Sequence, residues 1–109
     1  MELKDVVVTV ERVEGKCVVY KGGERIYFRG PEIDLSKSDR ICYHALTSIL
    51  HYINAFRINA DCGREFGLSK PEMRGVGYVS CLDPGPPYTN GGRAIFRIEA
   101  VESTDVVEK

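Results

Sequence analysis

One segment of this chain has the apolar periodicity of an α-helix, and the segments on both sides of it read as β-strands. Between Ile41 and about Phe56 the apolar residues recur on one broad side at about 100° per residue. Ser38 and Asp39 precede this stretch and can cap the first turn of a helix. The pattern therefore predicts one main helix from about Ser38 to Phe56.

The two sides of this helix predict different environments for its cysteine and its histidines. Cys42, Ile49 and Ile53 fall near the centre of the apolar side, so we expect Cys42 to be largely buried in the first turn. His44 and His51 project from the opposite side, beside Ser48, and are expected to be exposed. His44 therefore cannot easily bind the same metal ion as Cys42.

Strand signals occupy most of the remaining chain. Runs rich in β-branched and aromatic residues, bounded by glycine or proline, predict strands. These runs are Val6–Val10, Lys16–Tyr20, Arg25–Arg29, Gly75–Cys81 and Arg93–Val101. We expect the first three to form a meander, and the last two to form a hairpin across the Pro/Gly-rich loop 83–92.

These elements together predict an α+β fold. We expect a curled antiparallel sheet of four to five strands, with the main helix packed on one face. The 109 residues suit a single domain, with a core at about 5–101 and a charged tail at 102–109. No linker or internal repeat divides the chain.

Composition and charge narrow the classes of partner. The chain is 43% hydrophobic and 28% charged, which is typical of a globular domain. Its 15 basic and 16 acidic residues give a net charge of −1, which disfavours general binding of nucleic acid. No apolar run reaches the ~20 residues that span a membrane, and the start of the chain does not resemble a signal peptide. We expect a cytoplasmic protein with reduced thiols and no membrane partner.

The four cysteines stand alone, and none belongs to a C-x-x-C pair of the kind that zinc knuckles use. Cys42 is a candidate thiolate, because a helix start lowers the pKa of a thiol, but a cysteine at the centre of an apolar helix face is usually a small buried core residue. Cys81 ends a predicted strand, with Asp83 two residues later as an oxygen ligand or a turn cap. Cys17 alternates with Val19 in a predicted strand, which favours its burial. Cys62 is expected to be more exposed and to lie apart from the other three.

Several phrases together resemble a family of small conserved hypothetical proteins of bacteria and archaea that has no assigned activity. They are Gly15-Lys16-Cys17, Ile41-Cys42 at a helix start, and Cys81-Leu82-Asp83-Pro84-Gly85 before the last strand. The resemblance covers roughly residues 5–101. Tyr43 and Leu82 stand where the family pattern usually has proline, and Cys62 has no counterpart in that pattern.

The resemblance implies a shared site for its matched residues. Cys17, Cys42, Cys81 and Asp83 match the family pattern. Three sulfurs with an oxygen or water form a tetrahedral metal site, such as a zinc site, or hold an iron–sulfur cluster with an open position.

Two classes of function follow. The first is a thiol or metal site at Cys17, Cys42 and Cys81 for redox, sulfur or metal handling. The second is a non-catalytic protein- or ligand-binding module, in which loop 83–92 and Tyr88 contact a partner and the cysteines belong to the core. Sulfurs that converge on one point within about 4 Å favour the first class, because zinc–sulfur bonds are about 2.3 Å long. Scattered and separately packed sulfurs favour the second.

Overall fold

A computed structural model describes residues 2–103 and shows a five-stranded antiparallel sheet with one long helix and one short helix. The elements in chain order are β1 (Asp5–Glu14), β2 (Arg25–Arg29), β3 (Glu32–Ile33), α1 (Tyr43–Ile58), α2 (Cys62–Glu65), β4 (Gly77–Ser80) and β5 (Arg93–Val101). The sheet is open, with the strand order β3-β2-β1-β5-β4. The predicted α+β class, one antiparallel sheet with one main helix, is confirmed.

The core lies between α1 and one face of the sheet. Strand alternation directs Val8 of β1, Phe28 of β2 and Phe96 of β5 to this face, and each is buried. From α1, the residues Ala45, Ile49, Ile53 and Phe56 are buried against them. Burial of each large apolar side chain there stabilises the fold by roughly 1.5–3 kcal/mol relative to an exposed position.

The strand predicted at Lys16–Tyr20 is absent, so the three-strand meander is wrong. β1 instead continues to Glu14, and its partners in the sheet are β2 and β5. Gly15 then turns the chain with φ +77°, a conformation that suits glycine, and the backbone of Lys16 lies against Gly92. The segment after β1 therefore leaves the sheet. The two-residue strand β3 takes the sheet edge beside β2.

Helix α1 begins at Tyr43, about five residues later than the sequence predicts. The expected capping side chains serve β2 instead: Ser38 Oγ accepts the Tyr27 amide at 2.8 Å, and Asp39 Oδ2 accepts the Arg25 amide at 2.9 Å. Because β3 covers only the end of β2, these side chains complete the hydrogen bonding along its outer edge. The N-cap position therefore falls to Cys42, whose side chain makes no capping hydrogen bond.

The predicted faces of α1 are largely confirmed. His44 and His51 are exposed, and Ile49 and Ile53 are buried. Cys42 is only half-buried, because it precedes the helix and does not lie in its first turn. No helix within residues 2–103 has both the length and the apolar character to cross a membrane. Most of the predicted tail, residues 104–109, lies outside the described residues.

Candidate functional site

Three of the four cysteines lie at one end of the sheet. The Lys4 amide, just before β1, donates to the carbonyl of Arg57 near the end of α1 at 3.0 Å. The end of α1 therefore lies beside the start of β1, and the start of α1 lies toward the other end of the sheet. The end of β1, the start of β5 and the end of β4 also meet there. We call this the cysteine end, because Cys17, Cys42 and Cys81 closely follow or precede these elements.

A buried tyrosine links two of these cysteines. Tyr20 is buried, and its ring packs edge-on against Phe96 with centroids 5.7 Å apart. Its hydroxyl donates to the carbonyl of Arg40 at 2.9 Å and accepts the amide of Cys42 at 3.0 Å. The Tyr20 amide approaches Cys17 Sγ at 3.4 Å. Burial raises the pKa of Tyr20, and the nearby Cys42 and Cys17 thiols raise it further, although the Cys42 amide opposes them.

Cys81 and Asp83 each hold local backbone in place. The Cys81 amide donates to the carbonyl of Ala94 at 3.2 Å, and the Ala94 amide donates back to Cys81 Sγ at 3.3 Å. Asp83 Oδ1 accepts the Thr89 hydroxyl and the Gly85 amide. These two bonds lower the pKa of the Asp83 carboxyl. Both side chains therefore stabilise the start of loop 83–92.

Cys62 is the most buried cysteine, which overturns the expectation that it is exposed. It begins α2 and is only 4% exposed within the core. Its neighbour Gly63 lies so close to the backbone of Val76 and Gly77 that a Cβ atom would clash there. This close packing of α2 against β4 buries the thiol, and burial raises its pKa.

The four cysteine side chains make different contacts. Cys17, Cys42 and Cys81 are half-buried against the core, and each of the four thiols is free. Within residues 2–103, no three side chains of His, Cys, Asp or Glu are grouped closely enough to hold a metal ion. The structure thus gives no support to a metal site at Cys17, Cys42, Cys81 and Asp83.

A groove runs beside this end of the molecule, between α1 and β4. The helix is antiparallel to β4: Phe56, near its end, contacts Gly77 at the start of β4, so the first half of α1 lies beside the end of that strand. The space between them is about 290 Å³. It is lined by Thr47, Ser48, His51 and Tyr52 from α1 and by Val79, Ser80 and Leu82 from β4 and the residues after it.

The strand beside this groove is a sheet edge that is covered along only part of its length. Cys81 pairs with Ala94 through its amide, so alternation turns the backbone groups of Tyr78 and Ser80 away from β5. The Tyr78 amide is covered, since it donates to the carbonyl of Leu68 at 2.8 Å. No backbone group of residues 2–103 pairs with the outward amide or carbonyl of Ser80.

Two side chains make the groove both polar and apolar. Ser48 Oγ is buried and has no hydrogen-bond partner in the described part of the chain. Leu82 is 78% exposed and contributes apolar surface to the lining of the groove. The helical pattern placed Ser48 and His51 on the outer side of α1 but carried no signal that β4 lies beside them.

Comparison of the chain with family models, with curated proteins and with solved structures finds no match.

Proposed function

We propose that this protein is a non-catalytic interaction module that binds an extended peptide segment of a partner protein along the end of β4. The observation that carries this proposal is the uncovered backbone of Ser80 beside the groove of α1. A sheet edge flanked by a helix is a recurring way to bind peptides, because an added strand pairs with the edge while its side chains enter the groove. Cys62 is buried in the core and Cys81 Sγ accepts the Ala94 amide, and these structural roles support the same class of function.

The pairing itself supplies a modest and sequence-independent part of the affinity. The outward amide and carbonyl of Ser80 offer one donor and one acceptor to an incoming strand. Each such bond contributes about 0.5–1.5 kcal/mol net. Pairing of this length gives weak binding alone, so the side chains of the peptide must supply the remainder.

The lining of the groove indicates which side chains it accepts. Val79, Leu82 and Tyr52 form an apolar part that suits one aliphatic or aromatic side chain. The Ser48 hydroxyl, which lacks a partner among the described residues, suits a hydrogen-bonding group next to it. The lining carries no acidic or lysine side chain, and His51 is its one imidazole. We therefore infer an uncharged motif in which an apolar residue alternates with a small polar one.

A display library of short unstructured peptides tests this proposal. Peptides selected on the wild-type protein should lose about two- to tenfold in affinity for Ser80→Pro, which corresponds to one hydrogen bond of about 0.5–1.5 kcal/mol. Proline at position 80 removes the outward amide but no hydrogen bond to β5, so the sheet should remain intact. Ser80→Thr keeps the amide and is the matched control. Selected peptides that bind Ser80→Pro and Ser80→Thr equally well would contradict edge pairing.

A thiol function at the cysteine end is the second proposal, and one observation favours it. Cys17 and Cys42 both adjoin Tyr20, although the strands β2 and β3 separate them in sequence. Elemental analysis and a visible spectrum of protein purified without oxygen test it. Bound metal in wild-type protein that is lost in Cys42→Ala would support this proposal. Metal-free wild-type protein with ordinary thiol reactivity would contradict a thiol function.

We also propose a cytoplasmic location and a protein partner, with neither a membrane nor a nucleic acid as ligand. The free thiols support this location, because a reducing compartment keeps thiols unpaired. The net charge of −1 supports the choice of partner.

A further inference from the structure

A second cavity lies at the opposite end of the sheet from the cysteines, and it contains a buried carboxylate with an unmatched oxygen. Asp5, the first residue of β1, is only 1% exposed. Its Oδ1 accepts the Gly30 amide at 2.9 Å, whereas Oδ2 has no hydrogen-bond partner among residues 2–103. Asp5 lines a cavity of about 270 Å³. A buried carboxylate oxygen without a donor is costly, so this cavity favours an occupant that donates a hydrogen bond.

The same cavity also holds a cation, Arg57, near the end of α1. Its Nε donates weakly to the carbonyl of Lys4 at 3.4 Å. Among the described residues no carboxylate forms an ion pair with Arg57. At the rim, Lys4 is already paired with Glu102 at 2.8 Å. The guanidinium is therefore the cation in this cavity that lacks an anionic partner within residues 2–103.

We propose that this cavity binds a small zwitterion of the α-amino acid class. An ammonium group would donate to Asp5 Oδ2, and a carboxylate would accept from the Arg57 guanidinium, which binds planar anions well. A simple cation would satisfy only Asp5, and a simple anion would satisfy only Arg57. The volume of about 270 Å³ holds a molecule of this size.

NMR titration of the full chain with glycine tests this inference. Saturable shifts are expected at the Gly30 amide, which donates to Asp5, and at the Nε–H of Arg57. Methylammonium and acetate carry one charged group each and should bind at least tenfold more weakly than glycine. Equal binding of methylammonium would overturn the zwitterion class in favour of a plain cation.

Variants separate the site from effects on folding. Asp5→Asn keeps the volume and the acceptor for Gly30 but places a donor at the unmatched position, so the glycine shifts should disappear. If Asp5→Asn fails to fold, Arg57→Gln at the half-buried helix end provides the same readout. Arg74→Gln, an exposed arginine outside the cavity, is the control. No glycine-dependent shift in wild-type protein, with an ordered water on Asp5 Oδ2 in a crystal structure, would overturn the proposal and show that water alone completes the carboxylate.

Discussion

The amide of Tyr78 donates to the carbonyl of Leu68 at 2.8 Å, and this bond marks where the cover on the β4 edge ends. The turn after α2 shields the first part of the strand. Ser80, two residues further on, turns its amide and carbonyl outward beside α1 without such cover from residues 2–103. Exposed edges promote unwanted pairing, and proteins usually keep them short or covered. An edge left open next to a groove is therefore where we place recognition.

Serine substitutions at two cysteines should have opposite effects on stability. Cys42 occupies the N-cap of α1 with φ −89° and ψ 119°, and its side chain makes no capping bond. Because serine is a favoured N-cap residue, Cys42→Ser should be neutral or stabilise by up to about 1 kcal/mol. Cys62→Ser buries a hydroxyl in the core and should cost about 1–3 kcal/mol. Denaturant unfolding of both variants measures this, and a large loss with Cys42→Ser would contradict the capping argument.

Cys62 should be labelled more slowly than the other three cysteines, although the sequence predicts that it is the more exposed one. Cys62 is 4% exposed, and burial raises its pKa, so little reactive thiolate forms there at neutral pH. Cys17, Cys42 and Cys81 are half-buried and should react faster with a maleimide in native protein. Mass spectrometry of labelled peptides over time gives the order. Rapid labelling of Cys62 under native conditions would show that α2 does not pack closely against β4.

The buried Tyr20 predicts a loss of stability at alkaline pH. Its folded pKa is raised above the ordinary value of about 10, so folding favours the neutral phenol. The stability contributed by neutral Tyr20 is fully present below about pH 10 and is lost as the pH rises through the folded pKa. Tyr20→Phe removes the hydroxyl and should cost about 1 kcal/mol at neutral pH.

Thermal unfolding of both proteins from neutral to alkaline pH tests this linkage. The stability difference between wild type and Tyr20→Phe should shrink above about pH 10, where only the wild type loses this contribution. The difference in alkaline absorbance between wild type and Tyr20→Phe should show that Tyr20 ionises above the ordinary pKa of a tyrosine. A stability difference that stays constant with pH would mean that Tyr20 is solvated.

Two glycines with similar backbone angles separate strain from steric contact. Gly92 has φ +116° and lies against the carbonyl of Lys16, whereas Gly22 has φ +125° and no neighbouring atom within 4 Å of the point that a Cβ would occupy. Gly22→Ala should cost about 1 kcal/mol from backbone strain alone. Gly92→Ala should cost about 2 kcal/mol more, because its methyl group meets fixed backbone. Equal costs, measured by denaturant unfolding, would show that loop 83–92 does not rest on Lys16.

The parts of the fold that were predictable from the sequence have strong periodicity. Strand β5 runs from Arg93 to Val101 as predicted, and its pairing with β4 confirms the hairpin. Lys16–Tyr20 has a strand-like composition but lies outside the sheet, and Val18 is 93% exposed. The backbone of Lys16 lies against Gly92 and not in the sheet, and local strand propensity carries no information about such a contact.

The candidate site was predictable only in fragments. The helical spacing of Ser48 and His51 placed them together, but β4, which completes the groove, lies about 30 residues further along the chain. Cys62 illustrates the same limit: Asp61 and Gly63 beside it suggest an exposed turn, whereas Gly63 allows α2 to approach the backbone of Val76 closely. Glycine reads as a turn residue in sequence, and here it permits close packing.

Amide hydrogen exchange at Ser80 tests the central claim most directly. In the free protein this amide should exchange fast, whereas the amides of Val79 and Cys81 face β5 and should be protected. Binding of a selected peptide should slow exchange at Ser80 at least tenfold and leave Tyr78, already bonded to Leu68, nearly unchanged. A peptide that saturates the protein while Ser80 continues to exchange at its free rate would contradict edge pairing on β4.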